Sequence, residues 1–240
     1  MITDIELLAV EMQTLFVLDN GRIRRENDPD RSAGPRFWLA GCRSGNIVSI
    51  GAEVNDDVAA EVASIAKLEV PFGDVGGRLR YHERYNALLC PATVEYGLVY
   101  RLPHSLPLAS SAVLIESESE RGKGLYEDLA VNGMPQGMID LGFRRASDLW
   151  PPWCAVMVND EVASIAFAAR ISEVGAELGL ATAKAYRGRG LALAAVAAWS
   201  SLAPLQKRHL FYSTDRSNTS SRKVASKLGL PFVGNSVRFI

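Results

Sequence analysis

The stretch Ala176-Glu177-Leu178-Gly179-Leu180-Ala181-Thr182-Ala183-Lys184-Ala185-Tyr186-Arg187-Gly188-Arg189-Gly190-Leu191-Ala192 decides how this chain is read. Up to Thr182 it has the character of a strand, and from Gly190 to Leu202 an alanine-rich run is strongly helical. Two glycines and two arginines therefore stand where a strand turns into a helix. A helix start leaves amide N–H groups unpaired along its axis, and the dipole adds partial positive charge there. Glycine at 188 and 190 lets backbone approach an oxyanion, Arg187 and Arg189 add charge, and a diphosphate fits such a site. Gly-Arg-Gly alone is equally the composition of an exposed basic turn. Spacing excludes two other phosphate loops: a dinucleotide fingerprint needs Gly or Ala where Leu193 stands, and a P-loop needs Gly-Lys-Ser/Thr.

Working outward, Trp153 to Val158, the turn Asn159-Asp160 and Val162 to Arg170 read as strand, tight turn and strand. Val174 to Thr182 completes an antiparallel meander. Downstream come a strand at Arg208 to Thr214, a helix at Ser217 to Leu228 ended by Gly229, and a strand at Phe232 to Ile240 behind Pro231. Upstream come a strand at Ala112 to Glu116 and helical stretches around Glu120 to Asn132 and Pro135 to Leu149. The first hundred residues read as a helix at Asp4 to Val17, a polar loop at Asn20 to Pro35, and a hairpin of Arg36 to Leu39 with Asn46 to Ile50. A helix at Asn55 to Leu68, capped by Asn55 or Asp56, a glycine-bearing loop at Pro71 to Arg78, a helix at Tyr81 to Leu89 and a strand at Gly97 to Pro103 follow. Pro103 to Pro107 is the best linker, so the chain divides into residues 1–105, an α+β domain of unknown role, and residues 106–240.

This order of elements, with Arg187-Gly188-Arg189-Gly190-Leu191-Ala192 and the later Asn218-Thr219-Ser220-Ser221 and Lys227-Leu228-Gly229, resembles the GNAT superfamily of N-acyltransferases. The resemblance spans about Ala112 to Ile240, and Arg-x-x-Gly-x-Ala from Arg187 to Ala192 is similar to that family's acetyl-CoA signature. It implies an α+β fold: a mixed, mainly antiparallel sheet flanked by helices, preceded here by a smaller α+β domain. It implies acetyl-CoA as co-substrate, held by amides from Gly188 to Ala192, with backbone at Leu180, Ala181 and Thr182 pairing with the pantetheine arm. In such proteins the strand ending at Thr182 splays from the one at His209 to Ser213. Gly179 points the same way, since glycine inside a strand suits a bulge or a close backbone approach. Asn218 would contact the cofactor near its sulfur, although Ser217 or Asn218 also reads as a plain helix cap, and Ser221 one turn on is a further candidate.

Acyl transfer to an amine needs a neutral amine, stabilisation of the developing oxyanion and a proton for the leaving thiolate. Glu177 stands where some family members carry a glutamate base; a solvated or ion-paired strand residue is the other reading. The frequent tyrosine acid stands seven residues after the helix-start asparagine, where this chain has Ala225. Tyr212, Ser213 or water would substitute, a thiol of pKa ~8.5 being a tolerable leaving group. Tyr212 also reads as a core aromatic of its strand. Lys223 and Lys227, with Arg216 and Arg222, read as a solvated basic face, with CoA's ribose phosphate as the other option. Trp150 and Trp153 either line an acceptor pocket or pack in the core.

The totals set limits on these readings. At 240 residues with 48% hydrophobic and 22% charged, the chain can bury a real core. A net charge of −1 lacks the basic footprint of a nucleic-acid binder. Cys42, Cys90 and Cys154 have no metal-ligand spacing and read as buried thiols of a reducing compartment. Without a signal-like N-terminus or a bilayer-length apolar run, the expected location is cytoplasmic, with neither membrane, nucleic acid nor metal as partner. The expected partners are a small-molecule or protein amine acceptor and, in a homodimer, a second copy. Acetyl transfer to a primary amine in a ternary complex is the first functional expectation, and a CoA-binding regulatory protein without turnover is the second.

Overall fold

Turn residues cut the chain into short strands and helices, and the computed structural model describes residues 2–107 and 112–240. The first part comprises α1 (Asp4–Leu15), β1 (Phe16–Asp19), β2 (Arg22–Glu26), β3 (Phe37–Cys42), β4 (Gly45–Ile50), α2 (Asp56–Ala66), α3 (His82–Leu89) and β5 (Val94–Leu102). The second comprises β6 (Val113–Glu116), α4 (Glu120–Asn132), α5 (Gln136–Asp140), β7 (Trp153–Val158), β8 (Glu161–Ile171) and β9 (Gly175–Thr182). It ends with α6 (Leu191–Ser200), β10 (His209–Asp215), α7 (Thr219–Lys227) and β11 (Phe232–Phe239). Thr3 and Glu6 close the start of α1 with a reciprocal capping box, and Asn55 caps α2. No helix among the described residues is long and apolar enough to cross a membrane.

Apart from the small β1–β2 hairpin, the strands form one mixed sheet of nine in the order β4-β3-β11-β5-β10-β9-β8-β7-β6. Within it β9 and β10 run parallel and every other neighbouring pair is antiparallel. Side-chain alternation gives the sheet two buried faces. Ala176 and Leu178 of β9 and Leu210 and Tyr212 of β10 pack with Ala194 to Trp199 of α6 and Ala225 of α7. On the opposite face, Phe211 and Val99 pack with Leu7, Leu8 and Leu15 of α1, while Ile115, Trp153 and Ile165 pack under Leu129 and Met138 of α4 and α5.

The linker near residue 105 falls between β5 and β6, yet the sheet is continuous across it. β5 lies hydrogen-bonded between β10 and β11, and β3 and β4 extend the sheet beyond β11. Residues on both sides of that linker thus share one hydrogen-bonded layer. Part of the linker, 108–111, lies outside the described residues.

Several local expectations are corrected. The helix predicted to Val17 stops at Leu15, because Phe16 is extended (φ −127°, ψ 145°) and begins β1. The polar loop expected from Asn20 contains β2, joined to β1 by Asn20-Gly21 with both φ positive (48° and 79°). Asn-Gly is the preferred pair for a tight hairpin turn. The helix expected over 135–149 is only α5, since Gly142 takes φ 102° and breaks it. Cys42 and Cys154 are buried as expected, but Cys90 is exposed at the end of α3. Arg216 is not on a solvated face: it lies over the Tyr96 ring at 4.9 Å and donates to Asn235 Oδ1 and the Gly77 carbonyl.

Gly179 has a reason within the fold. It pairs across the strand with Phe167, and a Cβ placed there would stand 2.4 Å from that ring. The close approach read from the sequence is thus an internal one, an aromatic ring lying over a glycine. Gly179→Ala is expected to cost about 1–3 kcal/mol, as overpacking does. Chemical denaturation checks this, and Phe167→Leu in the same chain should return most of the loss.

Candidate active site

The site begins where two strands part. β10 pairs with β9 only at His209↔Gly175, Leu210↔Ala176 and Phe211↔Glu177, after which β10 stays with β5 up to Asp215. From Leu178 onward no strand among the described residues pairs with that edge of β9. This is the splay that the family resemblance implies, and a cleft of about 670 Å³ opens along it. Leu180, Ala181 and Thr182 form one wall. The Thr182 carbonyl is already engaged, accepting from Arg187 Nε at 3.2 Å.

The loop after β9 forms the cleft's floor. Gly188 and Gly190 both take φ near +80°, a left-handed backbone that any other residue adopts only under strain. Hydrogen bonding resumes where Leu193 and Ala194 both donate to the Gly190 carbonyl. Among the described residues the amides of 188 to 192 have no partner, as expected of a helix start without a side-chain cap. Gly188, Gly190, Leu191 and Ala192 line the cleft with Arg187. Arg189 does not. Its guanidinium lies 5.5 Å from the Tyr186 ring, whose hydroxyl donates to Glu161 at 3.1 Å. That bond, with burial and the charge of Glu161 added, pushes the Tyr186 phenol above its ordinary pKa.

The far wall belongs to β10 and α7. Tyr212, only 3% exposed, lines the cleft, and its hydroxyl pairs with Ser221 Oγ at 2.7 Å and donates to the Ser221 carbonyl at 3.2 Å. Burial, against the opposing hydrogen bond with Ser221, raises its pKa, so the phenol keeps its proton. Asn218 is the cap of α7, its Oδ1 accepting from the Ser221 amide at 3.0 Å, and it lines the cleft as well. Its Nδ2 has no partner among the described residues. Ala225 is buried beneath Tyr212 in the shared core.

Sequence reading missed some of the cleft. Lys223 and Lys227, read as a solvated face with CoA's ribose phosphate as the other option, both line it, and their four-residue spacing carries that signal. Asp140 and Leu141 reach it from the end of α5, which no local pattern foretells. Trp153 is buried in the core, and Trp150 donates through its ring nitrogen to the Ala168 carbonyl.

Glu177 sits at the apex of the splay but does not line the cleft. It faces α1, 7% exposed, and its Oε2 accepts from Arg170 Nη1 at 2.7 Å. Arg170 also donates to Glu26 at 2.7 Å, and Arg238 to the other Glu26 oxygen, which makes a buried network of two carboxylates and two arginines. Among the described residues no cluster of three or more His, Cys, Asp or Glu has the geometry of a metal site.

Comparisons with known proteins agree with this geometry. Residues 154–237, which hold the meander, the loop, α6, α7 and most of β11, match the family of GNAT acetyltransferases. A functionally unknown conserved protein from Staphylococcus epidermidis shares the fold over 97% of both chains, at 9% identity and a TM-score of 0.53. Also similar are a GCN5-related N-acetyltransferase-like protein from Streptococcus suis (15% identity, 86% of this chain and 85% of that one, TM-score 0.48) and a GNAT-family acetyltransferase from Novosphingobium aromaticivorans. The latter is 18% identical over 62% of this chain, with a TM-score of 0.42, and only 65% of its own length is covered. No curated protein matches the chain. The stretch 154–237, which contains the splayed strands β9 and β10 and the loop between them, is thus similar to the GNAT acetyltransferases.

Proposed function

We propose that the chain is an N-acetyltransferase that moves an acetyl group from acetyl-CoA to a primary amine in a ternary complex. The observation that carries this reading is the run of unpartnered amides from 188 to 192, set on two left-handed glycines and opening directly into the cleft beside the splay. Those amides would hold the diphosphate of CoA, with Arg187 adding charge. The edge of β9 from Leu180 to Thr182, with the Thr182 carbonyl held by Arg187, would take the pantetheine arm as an added strand, which aims the thioester at the apex of the gap. Asn218 and Ser221 lie on the opposite wall, near the sulfur end in this pose. Tyr212 keeps its proton and stands in the cleft, so it is suited to protonate the leaving thiolate in place of the tyrosine that Ala225 replaces. We further propose a cytoplasmic protein with a small-molecule or protein amine as acceptor.

Calorimetry with CoA, followed by thiol release from acetyl-CoA across a panel of primary amines, tests the reading. Tyr212→Phe is expected to lower kcat about 100-fold, in the range of general acid catalysis, with CoA affinity unchanged. An unchanged kcat would remove Tyr212 from the mechanism. The buried Ala225 favours one other reading, a CoA-binding regulatory protein. CoA binding without thiol release from any amine would support that one, and no heat on adding CoA would sink both.

A further inference from the structure

Acyl transfer as derived above makes no use of Glu11, although it is the buried carboxyl of α1. It is 1% exposed, its Oε1 accepts from Ser213 Oγ at 2.7 Å, and its Oε2 has no partner among the described residues. Ser213 lies on β10 two residues past Phe211, the last residue paired with β9, so it belongs to the splayed part of the strand. By alternation it faces α1 while its neighbour Tyr212 faces the cleft from the side of α6 and α7. Ser213 is only partly buried. Ser213 itself does not line the cleft, so on this splayed strand a phenol faces the cleft and, on the α1 face, the next residue carries a hydroxyl backed by a carboxyl.

The surroundings leave that carboxyl without a counter-ion of its own. Arg170 on β8 and Arg238 on β11 act on it from a distance, but both donate to Glu26 of β2, and Arg170 also to Glu177 of β9. Glu177 adds a like charge nearby. On α1 itself the other acids, Asp4 and Glu6, are exposed in the first turn.

We propose that Ser213 and Glu11 form the proton-accepting pair of the reaction: the amine hands its proton to Ser213 Oγ while the Ser213 proton passes to Glu11. This rests on the acyl-transfer reading. The freed nitrogen lone pair then attacks the thioester carbon, the carbon–sulfur bond breaks, the thiolate takes its proton from Tyr212 or water, and the second proton that nitrogen loses as the amide forms passes to the phenolate or hydroxide so left. An amide and CoA thiol leave, and Glu11 returns its proton to solvent before the next cycle. Ser213 is the group that meets the amine, and Glu11 acts through it. Glu177, engaged by Arg170, is spared for holding the network. Burial drives Glu11 up to about 8, against the opposing bond from Ser213 and with Glu177 adding to the rise, which suits a base working on amines.

Glu11→Gln keeps the shape of the side chain and Ser213→Ala keeps the carboxyl, so each removes one half of the pair. With the best amine of the panel at saturation, kcat of the wild type should rise with pH to a plateau above about 8. Glu11→Gln should lower kcat about 100-fold and abolish that rise, Ser213→Ala should follow in direction, and the CoA affinity of both should match wild type by calorimetry. Thiol release by the wild type with an unchanged kcat and pH profile in both variants overturns the role of this pair alone. Absence of release from the wild type overturns the acyl-transfer reading and this role with it.

Discussion

Gly190→Val is expected to weaken CoA binding at least about 100-fold, about 2.8 kcal/mol, while the protein remains folded. The expectation separates two effects of one side chain. Gly190 sits at φ 80° and ψ 0°, so valine there carries left-handed strain of roughly 1–3 kcal/mol, which for a chain of this length lowers the melting temperature by several degrees. Its Cβ would have nothing within 4 Å apart from the adjacent residues. Gly190 lines the cleft, so the added methyls would narrow the space from which phosphate oxygens would approach the amides of 188 to 192. Gly188, at the same φ and with the same open space, should behave alike. Gly229 supplies the control. It too is left-handed (φ 62°) with open space around it, but it ends α7 instead of starting α6. Gly229→Val should lose comparable stability and keep its CoA affinity. Calorimetry and thermal melts on the three variants decide the matter, and wild-type CoA affinity in Gly190→Val would mean that these amides do not hold the ligand.

The parts of this molecule legible in the sequence are those fixed by near neighbours. The meander from Trp153 to Thr182 follows from alternation and from Asn159-Asp160, whose φ values of 52° and 61° suit a tight hairpin. The loop from Arg187 to Ala192 was readable because its glycines, arginines and alanines each answer a local demand of the same turn. Asn20-Gly21 carries an equally local signal, masked by the arginines that follow it. By contrast, nothing near β5 announces that it lies between β10 and β11, since strand pairing joins residues more than a hundred positions apart. The role of Glu177 was ambiguous for the same reason. Whether a strand carboxylate faces a substrate or an arginine depends on where Arg170 and Glu26 arrive, and Glu26 comes from a hairpin within a stretch of loop-like composition. Glu11 was invisible as anything but one polar position of an amphipathic helix, until α1 was found to lie over the splay.

The burial of Glu11 also sets a pH dependence that does not rely on any reaction. In the folded chain the carboxyl stays protonated up to about pH 8, chiefly because ionising it there means desolvating a charge, whereas in the unfolded chain it ionises near 4.5. Between those two values the folded state binds one proton more than the unfolded state, so stability falls as pH rises. The contribution is fully present below about pH 4.5 and is lost as pH climbs through about 8, a total on the order of 5 kcal/mol. Gln at this position cannot ionise in either state, so the difference between Glu11→Gln and wild type isolates the term from all other titrations. Carboxylates whose pKa values are lowered, such as Asp28 and Asp148, work in the opposite direction at acid pH and cancel in that difference. Relative to its value at pH 4.5, the stability of Glu11→Gln minus that of wild type should grow in favour of the variant up to about pH 8 and level off by pH 9. At roughly 2–4 °C per kcal/mol, the melting temperatures should diverge by about 10 °C or more over that range. A constant difference across pH 4.5 to 9 would mean that Glu11 ionises in the folded protein as easily as in the unfolded chain. The carboxyl could not then serve as a proton acceptor with the basicity that its burial implies.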